Sequence, residues 1–350
     1  MKKSILWFAK NPEVIKMNGI LFDLKNPYAL NGMSNDMQLL YQSCFNRELD
    51  VFSYAFKYSK WDLFWTCLDF INETDSTIVI YEPVKEKYFT IMLKDINNLI
   101  DFTIFKYLGS VESQRDLIVR KLSIIEKFFK GVIINHPDTI RYAIRKDYLL
   151  ELKNAGFPII DDTKIYSNTV TYKELLECID QDATEYVIKP VTGELANSLS
   201  ILYDINEDWL RRKESKVGGW IIQPINYDVW NGEYRLVFFG SVCSLGQRKR
   251  YFKKEINQKI PDEKYRVFQP YVPDKRELDL ALKIRDFWQE HLGKKIYTFR
   301  FDFIKSNEDN IRILEFEAVN PGFGFHVISE KEQKRVAQEY VSFLNYYNFK

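Results

Sequence analysis

Apolar positions along this chain fall into short runs of two periods, and the runs alternate. SILWFA, GILFDL and TIVIYEP have the β-branched and aromatic content of strands. The stretches around Leu39–Phe45 and Arg115–Phe129 repeat at helical spacing. GVIINHPD reads as a strand that runs into a turn. Elements in this order predict an open α/β lobe over residues 1–135. The next stretch, DTIRYAIRKDYLLELKNAGFPII, predicts a helix capped by Asp138 or Thr139. Leu149, Leu150 and Leu152 form its apolar face, and Gly156 stands just past its end. FPII and YVIKPV read as strands separated by the helix YKELLECI, and WIIQPI, YRLVFFG and SVCSLGQRKR as further strands. A helix near Lys275–Leu292, a hairpin from Arg300 to Gly322 and an amphipathic helix over Glu330–Tyr346 follow.

The hairpin RFDFIKSNEDNIRILEFEAVNPG carries the first hint of chemistry. Strand side chains alternate faces, so Arg300, Asp302 and Ile304 share one face and Phe301 and Phe303 the other. Glu315 and Glu317 share a face of the second strand. A four-residue loop, Asn307–Asn310, sets Asp302 opposite Glu315 and Arg300 opposite Glu317. Directly opposed carboxylates repel by about 0.2–1 kcal/mol even at exposed sites, and burial raises that cost. A divalent cation between them removes the repulsion. Oxygen-only donors without His or Cys favour Mg2+, which usually binds through one or two carboxylates plus substrate phosphates. A solvated amphipathic hairpin with an Arg–Glu pair accounts for the same alternation, so the hairpin alone does not decide.

Composition narrows the field. With 46% hydrophobic and 16% aromatic residues, the 350-residue chain has material for more than one core. Lys and Arg number 50 against 49 Asp and Glu, which leaves no basic footprint for nucleic acid. Cys44, Cys67, Cys178 and Cys243 form no CxxC pair, and His136, His291 and His326 have no nucleophile motif beside them. Cys or Ser hydrolysis and zinc chemistry are therefore not expected, and reduced cysteines imply the cytoplasm. The apolar run of MKKSILWFAK breaks at Lys10, short for a signal peptide. No apolar stretch approaches the ~18 residues of a membrane span.

Four segments, in order, carry a resemblance. They are Lys146 within RYAIRKDYLLELKNAGFPII, Lys189 within YVIKPVTGELANSLSIL, the QPIN of WIIQPINYDVWNGEYRLVFFGSVCSLGQRKR, and the hairpin. Together they resemble the ATP-grasp superfamily over about residues 130–325. The nearest type is the carboxylate–amine ligase of the glutathione synthetase, ribosomal-protein glutamate ligase and D-Ala–D-Ala ligase kind. The resemblance implies a mixed α+β and α/β ATP-grasp fold. Its parts would be an N-terminal open α/β lobe (1–135), a mobile central lid (136–222) and a C-terminal antiparallel-sheet catalytic lobe (223–350).

The resemblance also implies roles. Lys146 and Lys189 would contact the phosphates of ATP, as compact cations should. Gln223, Pro224 and Ile225 would form the hinge that meets adenine, and Glu233 would stand near the ribose or the site entrance. Arg235, with Arg248 or Arg250, would contact the substrate carboxylate or the transferred phosphate, and Arg300 the acyl phosphate. Asp302, Glu315 and a third ligand would hold one or two Mg2+ or Mn2+ ions. Plainer readings are cross-strand ion pairs for Arg235 and Arg248, a turn acid for Glu233, and packing for Trp220 and Trp230.

Two departures from the family pattern stand out. The second metal strand usually ends in Glu-x-Asn. Here Glu315 is followed by Phe316 and Glu317, so Glu317 is the first choice for third ligand and Asn320 the second. The phosphate-covering loop, TGELANSLSI, keeps only Gly193, and Asn197 and Ser198 would donate side-chain hydrogen bonds in place of glycine backbone.

The implied activity is an ATP- and Mg2+-dependent ligase. It would activate a small carboxylate as an acyl phosphate, pass it to an amine such as an amino acid or peptide, and release ADP and phosphate. Dimers are common among such ligases. A tailoring ligase acting on a ribosomal peptide or protein tail, and a nucleotide-binding protein without catalysis, are the alternatives. Neither the carboxylate nor the amine is named by any motif.

Overall fold

Parallel strands buried on both faces read as unbroken apolar runs, and β1 (Lys3–Phe8) shows it, with four consecutive buried residues after Ser4. The computed structural model describes residues 3–8, 51–85, 87–106, 108, 111–177, 179, 185–192, 199–255, 257–261, 265–306, 310–319, 321–325 and 328–346. Around β1 lie β2 (Trp61–Thr66), β3 (Ile71–Asn72), β4 (Thr77–Glu82), β5 (Lys87–Met92), β6 (Phe102–Phe105) and β7 (Val132–Ile134). The sheet order is β3-β4-β2-β1-β6-β7, with β5 beside β4. β2, β1, β6 and β7 run parallel. The helix Val111–Phe128 packs Ile118, Leu122 and Ile125 into one core with Leu6 and Phe8.

A second, antiparallel sheet has the order β10-β9-β11-β8, from β8 (Lys164–Tyr166), β9 (Tyr186–Pro190), β10 (Ser200–Ile201) and β11 (Trp220–Pro224). The third is antiparallel in the order β14-β13-β12-β15-β16. Its strands are β12 (Glu233–Phe239), β13 (Val242–Tyr251), β14 (Arg266–Pro270), β15 (Thr298–Lys305) and β16 (Ile311–Glu317).

Strand alternation gives the third sheet two unlike faces. On one, Tyr234, Leu236, Phe238, Phe299, Phe301, Phe303 and Phe316 pack against Ala281, Ile284 and Trp288 of the helix Lys275–Leu292. Phe238 stacks on Phe299 at 4.6 Å and Phe299 on Phe316 at 4.8 Å, contacts worth about 0.5–1.5 kcal/mol each beyond burial. That helix starts at a capping box formed by Asp274 and Glu277 and stops at Gly293, whose φ of +61° suits glycine. The opposite face is apolar at one end, where Val237, Phe239 and Leu245 join Trp7, Phe52 and Tyr340 in a shared core. The rest of that face carries Arg235, Arg300, Asp302 and Glu315.

Two side chains that follow parallel strands tie the first sheet to the third. Asn135, just after β7, donates to Thr298 O at 2.6 Å and Ala318 O at 2.9 Å. It accepts from Tyr297 N at 2.8 Å and Thr298 N at 3.1 Å. Lys106, just after β6, is buried, donates to Pro321 O and lies 4.0 Å from the Phe323 ring centroid. The carboxyl ends of the parallel strands, where α/β sheets bind ligands, thus face the chain that follows β16.

Several expectations change. The helix expected from Asp138 to Gly156 is two, Pro137–Ala143 and Tyr148–Asn154, and Lys146 lies in the turn between them. His136, not Asp138 or Thr139, caps the first: its Nδ1 accepts from Asp138 N at 3.2 Å. FPII is not a strand but a single parallel bridge, Ile159 to Ile313. The hairpin loop is five residues, Ser306–Asn310, and a register shift between Asp302 and Phe303 absorbs the extra one. GILFDL, the helix at Leu39–Phe45, Cys44, Cys178, Gly193, Asn197, Ser198, Asn320 and His326 lie outside the described residues.

Candidate active site

The register carries the polar face across four strands. Gln247 of β13 opposes Arg235 of β12, Arg235 opposes Asp302 of β15, and Asp302 opposes Glu315 of β16. Arg300 opposes Glu317 in the neighbouring row, as expected from sequence. On the other side of Arg235, Glu233 opposes Lys249.

Asp302, Glu315 and Glu233 are each gripped by a cation. Arg300 holds Asp302 with a fork, Nε to Oδ1 and Nη2 to Oδ2, both 2.7 Å. Burial would drive the Arg300 charge off, but Asp302 outweighs it and the guanidinium pKa rises. Lys146 Nζ lies 3.0 Å from Glu315 Oε1. Burial alone would raise the Glu315 carboxyl, but Lys146 and then Arg300 outweigh it, so its pKa is lowered. Glu233 accepts from Arg235 Nε at 2.7 Å, Lys249 Nζ at 3.0 Å and Tyr251 OH at 3.0 Å. Arg235 and Lys249 overcome its burial and hold its carboxyl far below the usual range. Glu317 Oε1 accepts from Val319 N at 2.7 Å, which turns the chain after β16.

The second sheet adds Lys189. Burial first, and Lys146 second, push its pKa down to about 8, while Glu315 and Glu233 pull it up. Lys189 therefore shares a field with the carboxylates of the third sheet. The turn carrying Lys146 is tied to both sheets: Lys146 N donates to Val191 O at 2.9 Å, just past β9. Tyr148, two residues on, accepts from Phe316 N at 3.1 Å, between Glu315 and Glu317.

Not every expected residue reaches this face. Arg248 and Arg250 sit one residue out of phase with Gln247 and Lys249, so they project from the other side of β13. Arg248 donates to Asn231 O and lies over the Tyr234 ring, while Arg250 is exposed. Lys249 and Gln247, passed over in favour of the arginines, take their place; strand parity was the signal. Gln223 is buried with its Nε2 committed to Thr163 Oγ1 at 3.1 Å. Pro224 and Ile225, with Ile160, Asp161 and Arg312, line a cavity of about 340 Å³ at the crossover between the second and third sheets. Trp220 is packing, fully buried against Trp209.

Asp302, Glu315 and Glu317 offer the oxygen-only donors that suit Mg2+, and the pairing of Asp302 with Glu315 fits such an ion. Their oxygens are not drawn together, however. Among the described residues, a set of three ligand groups within 4.8 Å occurs at Glu126, His136 and Asp138. Arg141 already neutralises that set, 2.8 Å from Glu126 and 2.7 Å from Asp138.

This arrangement of sheets is the ATP-grasp fold, and solved structures of that fold align along nearly the whole chain. A D-cycloserine synthetase is 17% identical with a TM-score of 0.62, covering 97% of this chain and 99% of that one. The D-alanine–D-alanine ligase of Bacillus anthracis is 13% identical with a TM-score of 0.57, covering 99% and 95%. A Chryseobacterium gregarium RiPP-associated ATP-grasp ligase, in complex with ADP and a leader and core peptide, is 14% identical with a TM-score of 0.57, covering 99% and 97%. No family model and no curated protein matches the chain in sequence. No helix among the described residues is long and apolar enough to cross a membrane.

Proposed function

We propose that the protein is an ATP-dependent carboxylate–amine ligase. The observation that carries this reading is the meeting of Lys146 and Lys189, from two different elements, beside the Asp302–Glu315 pair and Arg300. Two lysines and two arginines, Arg235 and Arg300, crowd a short stretch of one sheet face. Such a set suits a polyanion that bridges them, and a nucleoside triphosphate has the charge.

In this reading Lys146 leaves Glu315, and Lys146 and Lys189 bind the β- and γ-phosphates. The adenine lies by Pro224 and Ile225, where the cavity opens, and Glu233 stays bound to Arg235 and Lys249 and fixes their direction. Ser198 would donate to the phosphates. Asp302 and Glu315 would hold Mg2+, with Glu317 as the third ligand and Asn320 as its alternate. The ion would neutralise the triphosphate and the phosphoryl in transfer.

A carboxylate resists nucleophiles because of its own charge. Transfer of the γ-phosphoryl to one of its oxygens, with departure of ADP, turns that oxygen into a leaving group. Arg300 and Arg235 bind the charge that spreads over the transferred group. An amine then attacks the acyl carbon, phosphate departs, and the amine's proton goes to solvent or phosphate. No nucleophilic side chain is needed. A peptide acceptor and a small amine are both compatible with this chemistry.

The test is hydroxylamine trapping with ATP, Mg2+ and a panel of carboxylates. The reading expects a hydroxamate and one ADP for each acid consumed. ATP binding without ADP formation across the panel would leave only the nucleotide-binding alternative.

A further inference from the structure

Gln247 ends the polar row Glu315, Asp302, Arg235, Gln247. Only 2% of it is exposed, yet its Nε2 has no hydrogen-bond partner among the described residues. Buried amide donors are nearly always paired, and one left unpaired is costly. The surroundings look built for the carboxamide. Gly324, at a φ of +62°, lies against it, and a Cβ there would come within 2.7 Å of Oε1. A glycine at this position leaves Gln247 its room.

The loop containing Gly324 is fixed from the N-terminal lobe. Lys106 donates to Pro321 O, and Phe323 and Phe325 are buried among Phe52, Trp7 and Tyr340. Gln333 Nε2 donates to Phe325 O at 2.7 Å. Gln247 therefore sits where the parallel sheet, the loop after β16 and the third sheet converge. Strands are spaced about 4.8 Å apart, so Gln247 lies one strand beyond Arg235 on the side away from Asp302 and Glu315. A molecule whose reacting carboxyl is at Arg300 and Arg235 has its next groups here.

The charge balance decides what those groups are. The cations nearest Gln247 along the strands are Arg235, directly opposite, and Lys249, two residues on, and both are bound to Glu233, Arg235 at 2.7 Å and Lys249 at 3.0 Å; Arg266, farther along the same face, lies over the Phe268 ring. Arg248 and Arg250 point away. A second carboxylate buried at Gln247 would face a neutral amide with its nearest cations already engaged, which is costly. A neutral carbonyl meets no such cost and supplies the acceptor that Nε2 needs.

We propose that Gln247 is a specificity-determining residue, whose Nε2 donates to an uncharged carbonyl oxygen, a carboxamide or peptide group, on the organic substrate. This deepens the ligase reading and rests on it. The carbonyl belongs either to the acid that is phosphorylated or to the amine that attacks, and the experiment separates the two.

The full chain is assayed with ATP and Mg2+ on matched pairs. In one arm hydroxylamine is the amine, and acids are given as dicarboxylates or their half-amides: succinate and succinamate, glutamate and glutamine, aspartate and asparagine. In the other, the best acid is fixed, and amines are given as amino acids or their amides, starting with glycine and glycinamide. The expected result is a preference for the amide of about tenfold or more in kcat/KM in one arm. Gln247→Leu should abolish that preference mainly through KM, and Gln247→Arg should invert it toward the charged partner. Equal use of both members in both arms, or a preference unchanged in Gln247→Leu, overturns the proposal. Should no acid yield ADP, the ligase reading fails by itself. The Gln247 side-chain 15N resonance, identified by its loss in Gln247→Leu, then reads the pocket directly. It should move with glycinamide or succinamate and stay still with glycine or succinate; the reverse, or no movement with either, refutes the assignment.

Discussion

Arg300 grips Asp302 through two parallel bonds of 2.7 Å, with both side chains buried on the polar face of the third sheet. The same guanidinium lies 3.8 Å from Glu315. One cation of the chain thus stands between the two carboxylates that the hairpin register opposes. A charge-assisted fork is among the stronger polar contacts a protein makes, and it holds Asp302 until a more highly charged ligand competes for it.

Asp302→Asn tests that grip. The fork loses its charge, leaving Arg300 buried beside weaker partners, at a cost on the order of 3 kcal/mol in urea unfolding. Turnover that depends on Mg2+ should fall at least about a hundredfold while circular dichroism keeps its native form. Glu315→Gln should lose turnover too, with the 3.0 Å ion pair to Lys146 gone. Wild-type rates in both variants would rule out the metal assignment.

Lys189 sets a pH limit. Its pKa of about 8 lies below the ordinary 10.5, so its charge costs stability below pH 8, and that cost is relieved as pH rises from 8 toward 10.5. Binding runs the other way, because phosphates want the ammonium. The Kd for ADP, measured by calorimetry, should rise once pH passes about 8, and Lys189→Arg should flatten the profile.

Tyr148 accepts from Phe316 N at the outer edge of β16, where no further strand of that sheet pairs among the described residues. Tyr148→Phe leaves the Phe316 amide without its acceptor, a loss of about 1–3 kcal/mol. Glu315 and Glu317 flank that amide, so Mn2+ binding in the presence of ADP, read by electron paramagnetic resonance, should weaken as well.

Strand parity makes its own prediction. Arg248→Ala should change the KM for ATP by no more than about threefold, as substitutions away from a site do. Lys249→Ala removes a partner of buried Glu233 and should cost both stability and turnover.

Asn135 joins the first sheet to the third through four bonds to Tyr297, Thr298 and Ala318. Asn135→Leu takes these four bonds from backbone groups of Tyr297, Thr298 and Ala318, which should cost on the order of 3 kcal/mol or more in chemical unfolding.

Much of the third sheet could be read from the chain because its strands alternate. Phe301 and Phe303 against Arg300 and Asp302 fixed both the faces and the pairing with Glu315. The added loop residue changed nothing at the site, since the register shift lies beyond Asp302. β2 and β6 are buried almost throughout, so they show no alternation to find. Lys146 was legible as a residue but not as a turn, because the apolar spacing of Leu149 and Leu152 continues that of Ile140 and Ile144 through the break. In QRKR, arginines drew the eye by type, whereas the sheet selects by parity. Gln247, neutral and flanked by charge, gave no signal until its unpaired amide was seen.

The central claim is that a carboxylate oxygen leaves with the phosphate. Once trapping has identified the acid, it is prepared with 18O in its carboxyl group and turned over with ATP, Mg2+ and the amine. Mass spectrometry of the products should find one 18O in inorganic phosphate for each amide formed and none in the nucleotide. Label in AMP, with release of pyrophosphate, would show activation by adenylation and contradict the phosphoryl-transfer role given to Lys146, Lys189 and Arg300.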